Sequence, residues 1–161
     1  MSPRAAWRLR SLGFTKVYDY VPGKADWMAA GLPTEGPKAS VPRITQVARS
    51  EVPRCRPDET VGELRDRIGD WELGVVVNDG GVVLGTVRAE VLGLDDARPV
   101  ADVMQEGPVT FRPNLGLSDL AAHLRKRGVP RVLVTRSDGT LIGLVLLEDI
   151  PQPSQGDSAD G

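Results

Sequence analysis

One pattern occurs twice in this chain, and that repeat constrains the fold more than any other feature. Arg56-Pro57 leads into a helix-like stretch from Thr60 to Ile68, an apolar run Val75-Val76-Val77, a turn at Asn78-Asp79-Gly80-Gly81 and a second apolar run Val82-Val83-Leu84-Gly85. Arg112-Pro113 begins the same series: a helical stretch from Leu117 to Arg127, the run Val132-Leu133-Val134, a turn at Ser137-Asp138-Gly139, then Leu141-Ile142-Gly143. The closing glycines, Gly85 and Gly143, stand slightly farther apart than the opening arginines, Arg56 and Arg112, so the second copy gains two residues between start and close. A supersecondary unit of this size cannot bury its apolar face alone, whereas a stacked pair can. The pattern predicts an α/β (α+β) fold of two βαββ units related by a pseudo-twofold axis, with clefts between them.

The local signals agree. Thr60 stands three residues before Glu63, the spacing of a capping box. Val61, Leu64 and Ile68 then share one helical face, which Leu117, Leu120 and Leu124 repeat in the second copy. Gly128 is placed to end the second helix, with Arg125, Lys126 and Arg127 in a last turn where cations complement the helix dipole. The valine-rich runs lack polar alternation, which predicts strands buried on both faces. Aromatic residues make up only 4% of the chain, so the core must be aliphatic.

The first third reads as a fragment. Residues 4–12 predict a short helix closed by Gly13, Val17 to Tyr20 a strand, and Ala25 to Ala30 a second short helix ended by Gly31 and Pro33. Pro33, Gly36, Pro37 and Pro42 mark a linker. Trp7, Leu9, Phe14 and Trp27 are too apolar to leave in water, so this part is expected to pack on the repeat or on a partner chain. The tail, 151–161, is Pro, Ser, Gly, Gln and Asp and is expected to be disordered.

Composition excludes several classes. Cys55 is the single cysteine, so neither an intrachain disulfide nor a thiolate zinc site can form. No apolar run approaches the roughly 20 residues of a membrane helix, and no signal-like run follows the N-terminal arginines. A cytoplasmic protein without membrane contact is expected. Residues 1–56 carry a net charge of +6 and residues 57–161 a net −8. With no groove-reading motif beside it, the basic third reads as a solvated helix face bearing Arg4, Arg8 and Arg10 rather than as a nucleic-acid surface.

The repeat resembles a tandem pair of CBS domains, the Bateman module, over about 44–150, with copies at about 44–93 and 102–150. The second copy carries the resemblance best, through Asp102-Val103-Met104, Val109-Thr110, Val129-Pro130-Arg131-Val132-Leu133-Val134, Asp138-Gly139, Leu141-Ile142-Gly143 and Asp149-Ile150. The first third, 1–36, resembles the end of a rhodanese domain through Gly13-Phe14, Val17-Tyr18, Gly23, Trp27 and Ala30-Gly31-Leu32-Pro33, with 37–43 as linker. The loop that carries the rhodanese catalytic cysteine would precede Met1. Cys55, flanked by Arg54 and Arg56 with no nearby histidine in sequence, reads as a core thiol rather than a nucleophile. No catalytic residues and no metal site are expected, and the chain is not expected to be an enzyme.

The CBS resemblance implies clefts that take an adenosine-type ligand such as AMP, ATP or S-adenosylmethionine. The family motif is a glycine, two apolar residues, Ser or Thr, two further residues and Asp; the hydroxyl reaches phosphate and the carboxylate accepts from ribose hydroxyls. The second copy reads Gly143-Leu144-Val145-Leu146-Leu147-Glu148-Asp149, with the carboxylate present and Leu146 in place of the hydroxyl. The first copy places Arg88 and Val91 at these positions and has neither group. The ligand site is therefore expected in the second-copy cleft, lined by Val109, Thr110, Arg131 and Asp149. Asp149 is either a ribose acceptor or a helix-terminal charge, and Arg131 either a phosphate ligand or a solvated strand-start residue; Arg88 is a further candidate for phosphate. His123 reads as a surface or rim residue. Two functions stay open: a regulatory module that senses an adenine nucleotide, or a degenerate pair used for structure, dimerisation or protein interaction. The resemblance also implies a homodimer.

Overall fold

The computed structural model describes residues 8–17, 23–37, 39–93 and 95–151. Trp7, the predicted strand beyond Val17 and the tail from Gln152 lie outside the described residues. In chain order the elements are α1 (Gly23–Ala29), β1 (Arg54–Cys55), α2 (Val61–Ile68), β2 (Leu73–Val77), β3 (Val83–Arg88), β4 (Gln105–Glu106), β5 (Thr110–Phe111), α3 (Leu117–Arg127), β6 (Arg131–Thr135) and β7 (Leu141–Leu146). Residues 8–11 form a helical turn.

The two βαββ units are β1-α2-β2-β3 and β5-α3-β6-β7. In each, the short first strand runs parallel to the second, and the second pairs antiparallel with the third. Both hairpins break register at the same place, after Val76 in one and after Val134 in the other. The helices begin at the equivalent positions Val61 and Leu117, while the strands after them begin at Leu73 and Arg131, so the two extra residues of the second copy lengthen the end of α3 and its turn. The capping box forms as expected: Glu63 N donates to Thr60 Oγ1 at 3.3 Å and Thr60 N to Glu63 Oε2 at 2.8 Å. Thr60 N, and Thr60 Oγ1 donating to the same oxygen at 3.0 Å, hold the Glu63 carboxyl below its ordinary pKa. Gly128 closes α3 in the left-handed region at φ 64.

Three aliphatic clusters make the core. One lies under α2, one under α3, and the third joins the two hairpins through Val52, Leu73, Val75, Val77, Leu133, Leu141 and Leu144. Strands β2 and β6 are buried on both faces apart from Arg131. The hairpin tips meet directly: Val83 N donates to Gly139 O at 3.1 Å and Leu141 N to Gly81 O at 3.0 Å.

The segments leading into the repeats exchange places. Ile44 stands just before the first repeat in sequence, yet it is fully buried in the cluster under α3. Val100, its counterpart before the second repeat, is fully buried under α2. Arg49 pairs with Leu144 of β7, while β4 pairs with β3, so each lead-in adds an edge to the other repeat's sheet. The closing glycines permit this. A Cβ on Gly143 would lie 2.5 Å from Arg49 O, and one on Gly85 would lie 2.8 Å from Gln105 O.

The N-terminal segment docks on the second repeat by a polar contact. Asp26 of α1 is buried and accepts from Ser137 N at 3.0 Å. Trp27 is half-buried and donates its Nε1 to Pro33 O at 2.8 Å within the segment. Within this chain Phe14 does not pack on the repeat: it is 60% exposed and Leu12 59%, because the turn there folds back only on residues 8–10, which leaves a partner chain as the expected surface for Phe14. No helix among the described residues is long and apolar enough to cross a membrane.

Candidate functional site

A cleft of about 770 Å³ opens where the two repeats meet. Four pieces of chain build it: Arg49 of the first lead-in, the Asp70-Trp71-Glu72 loop before β2, Pro130-Arg131 at the start of β6, and Leu146-Leu147-Glu148 at the end of β7; Arg125 of α3 closes one side. Local structure fixes each piece. Trp71 N donates to Ile68 O at 3.0 Å, folding the loop back on the end of α2. Leu147 N donates to Pro130 O at 2.8 Å and ties the end of β7 to the start of β6. Arg49 is held by two backbone bonds with Leu144, at 2.8 and 3.0 Å. Asp149 ends a 3-10 turn, Leu147–Asp149, anchored by buried Ile150.

Two of the arginines that line the cleft are paired. The planar fork of Arg49 meets both Asp149 oxygens, Nε to Oδ2 at 2.7 Å and Nη2 to Oδ1 at 2.6 Å. A bidentate pair of this kind is among the stronger side-chain hydrogen bonds. It raises the Arg49 pKa above its ordinary value, with Glu148 adding at 3.7 Å. The same guanidinium lies 6.0 Å from the centre of the Trp71 ring, at the outer limit of cation–π attraction. Across the cleft Arg131 Nη1 donates to Glu72 Oε2 at 2.6 Å. Arginine forks beside an indole can receive a ligand with anionic groups and a flat ring, provided that it replaces these internal partners.

The structure brings only part of the expected site together. Arg131 lines the cleft, and Asp149 adjoins it through Arg49. Thr110 instead lines a second depression of about 570 Å³, with Arg43, Arg112, Asn114 and Ser118, and Val109 is 73% exposed. Leu146, in the motif's hydroxyl position, forms part of the cleft wall. Arg88 is exposed at the end of β3, opposite Leu73, and lines neither depression. Sequence reading missed Arg49, Trp71 and Glu72. A signal for Arg49 exists in the repeat itself: at its place in the second lead-in stands Gln105, and at the place of Asp149 in the first copy stands Val91. Both partners are absent together from the related position.

Two other chemical groups stay outside the cleft. Cys55 is 2% exposed in the core under α2, and burial, with Glu59 adding, pushes its thiol up to about 12. The native thiol should therefore resist disulfide reagents at pH 8 and react fully once guanidinium unfolds the chain, as absorbance titration would show; rapid native labelling would contradict this burial. His123 is exposed and sits edge-on to Phe111 at 5.1 Å. Among the described residues no group of three or more His, Cys, Asp and Glu could hold a metal ion.

Similarity to known proteins is strongest in the second copy. Residues 100–150 match the family model of the CBS domain. No curated protein matches the sequence. Among solved structures, the chain is similar to CBSX2 in complex with AMP, with TM-score 0.59 and 19% identity over 68% of this chain and 93% of that one. The CBS domains of a transcriptional regulator from Streptococcus pneumoniae give TM-score 0.58 and 20% identity over 67% of this chain and 95% of that one. The cytosolic domain of the Mg2+ channel MgtE in complex with ATP gives 0.57 and 21% over 64% of this chain, which spans only 45% of that domain. The chain thus resembles a CBS domain over residues 100–150 and has the mixed α/β fold of structures that carry CBS domains in pairs.

Proposed function

We propose that this chain is a non-enzymatic regulatory module that senses an adenine nucleotide in the Arg49–Arg131 cleft. The observation that carries this reading is the placement of two arginine forks and an indole at the meeting of the repeats, where a ligand touches both at once. A ligand there shifts the packing of the pair only if it binds two arrangements with different affinity. The neighbours solved with AMP and with ATP support adenine nucleotides as the class to test. Asp149 supplies the ribose acceptor, Arg131 and Arg49 the phosphate contacts. The pair spans about 44–150, assembles as a cytoplasmic homodimer, and carries a rhodanese-like remnant at its N-terminus.

One observation favours a second reading. Asp149 and Arg131 already have close partners, and Leu146 stands where a hydroxyl would be. A cleft so satisfied by itself suits a structural or dimerisation module without ligand. A thermal-shift series with AMP, ADP, ATP and S-adenosylmethionine decides between them. Binding at about 100 Kd should stabilise the native state by about 2.7 kcal/mol. No shift with any of the four would favour the second reading; light scattering should give twice 17.3 kDa under both, and a monomer at every concentration would count against the dimer.

A further inference from the structure

The Arg49–Asp149 pair bears on which ligands the cleft accepts. Asp149 presents the facing lone pairs of both carboxylate oxygens to one guanidinium, so a ribose diol can take the same two-point grip only by displacing Arg49. Arg49 loses its bidentate acceptor in that exchange. Leaving a charged group without its partner is unfavourable, and Glu148 at 3.7 Å is too distant to replace two short bonds. The backbone of Arg49 is fixed on β7, which leaves only its side chain to move. Trp71 lies beside it, and Arg131, another lining fork, is occupied by Glu72.

We propose that Arg49 makes this cleft discriminate nucleotides from nucleosides: it latches Asp149, and a ligand opens the latch well only if it brings an anionic group to Arg49 while its ribose takes Asp149. This rests on the adenine-nucleotide reading of the cleft. A nucleoside displaces Arg49 and gives nothing back. A nucleotide exchanges one bidentate partner for another, since phosphate matches the guanidinium fork as a carboxylate does. The other side of the pseudo-twofold has Gln105 and Val91 at these two positions, so neither latch nor reward exists there.

Titration calorimetry with AMP and adenosine on the full chain tests the proposal. Wild type should bind AMP at least about 10-fold tighter than adenosine, the scale set by one charged hydrogen-bonding partner. Arg49→Gln should bring the two ligands within about 3-fold of each other, with adenosine itself binding more tightly because Asp149 is freed. Arg49 is on the cleft rim, 44% exposed, so this variant is expected to fold; circular dichroism checks that. Asp149→Asn, which keeps the Arg49 charge, should retain the preference for AMP. If wild type binds AMP and Arg49→Gln keeps the same ratio, or binds adenosine more weakly, or if Asp149→Asn loses the preference, the latch is wrong while the nucleotide reading stands. If AMP, ADP, ATP and adenosine all fail to bind to any of the three proteins, the nucleotide reading itself falls and the latch falls with it.

Discussion

Replacing Ile44 with alanine should destabilise the protein by about 2–5 kcal/mol, the range for truncating a fully buried aliphatic side chain, and the damage should appear in the second repeat. Ile44 is fully buried among Leu117, Leu120, Leu124, Val132 and Val145. Its backbone joins the same place: Ile44 N donates to Leu115 O at 3.1 Å, and Leu117 N donates to Pro42 O at 3.0 Å. Native-state hydrogen exchange should therefore show faster opening of amides in α3, with α2 changed little. Val100→Ala should give the mirror result in α2, since Val100 fills the core beneath it. Two lost methylene equivalents at about 0.8 kcal/mol each, plus a small cavity, set its scale. Faster exchange confined to α2 in Ile44→Ala would show that the lead-in segments are not exchanged.

The exchange marks where sequence reading stopped. The βαββ order, the capping box at Thr60, the limits of α3 and the buried strands were legible because each follows from short-range spacing: helical period, cap residues, runs without polar alternation. Which repeat a lead-in packs against is not encoded in spacing, because Ile44 and Val100 are apolar and equally placed in either arrangement. The site was legible in the same uneven way. Arg131 was found because it opens a strand at a motif position. Arg49 was not, since its partner Asp149 lies 100 residues away and only the folded pair brings them to 2.6 Å. Thr110 was grouped with Arg131 because both belong to the second repeat. In the fold the parallel pairing puts Thr110 opposite Leu133, two residues into β6, beside α3 and the linker rather than in the inter-repeat cleft. Phe14 stays exposed within the chain for another reason: apolar character says that burial is favourable, not which surface, in the chain or on a partner, supplies it.

Gly143→Ala should be the more disruptive glycine change, by about 2–5 kcal/mol. The added Cβ would stand 2.5 Å from Arg49 O and 3.0 Å from Arg49 C, both backbone atoms that no side-chain rotation can move aside. Overpacking of this kind costs about 1–3 kcal/mol. Separation of the strands would also weaken the two Arg49–Leu144 backbone bonds, at about 0.5–1.5 kcal/mol each. At roughly 2–4 °C per kcal/mol for a chain of this size, Tm should fall by about 4–20 °C. Gly85→Ala meets one backbone atom, Gln105 O, at the longer distance of 2.8 Å, and the Met104 thioether at 3.0 Å, which can yield, so the loss should be smaller. Gly93 has no atom within 4 Å of the place a Cβ would take, and Gly93→Ala should leave Tm within a degree or two, on the order of a surface change of 0.5 kcal/mol. Because Arg49 carries the latch, Gly143→Ala should also loosen the Arg49–Asp149 pair and narrow the AMP-to-adenosine preference. Scanning calorimetry of the three variants orders them. Equal Tm values for Gly143→Ala and Gly93→Ala would mean that the lead-in backbone does not lie against Gly143, and the pairing that positions Arg49 would have to be abandoned.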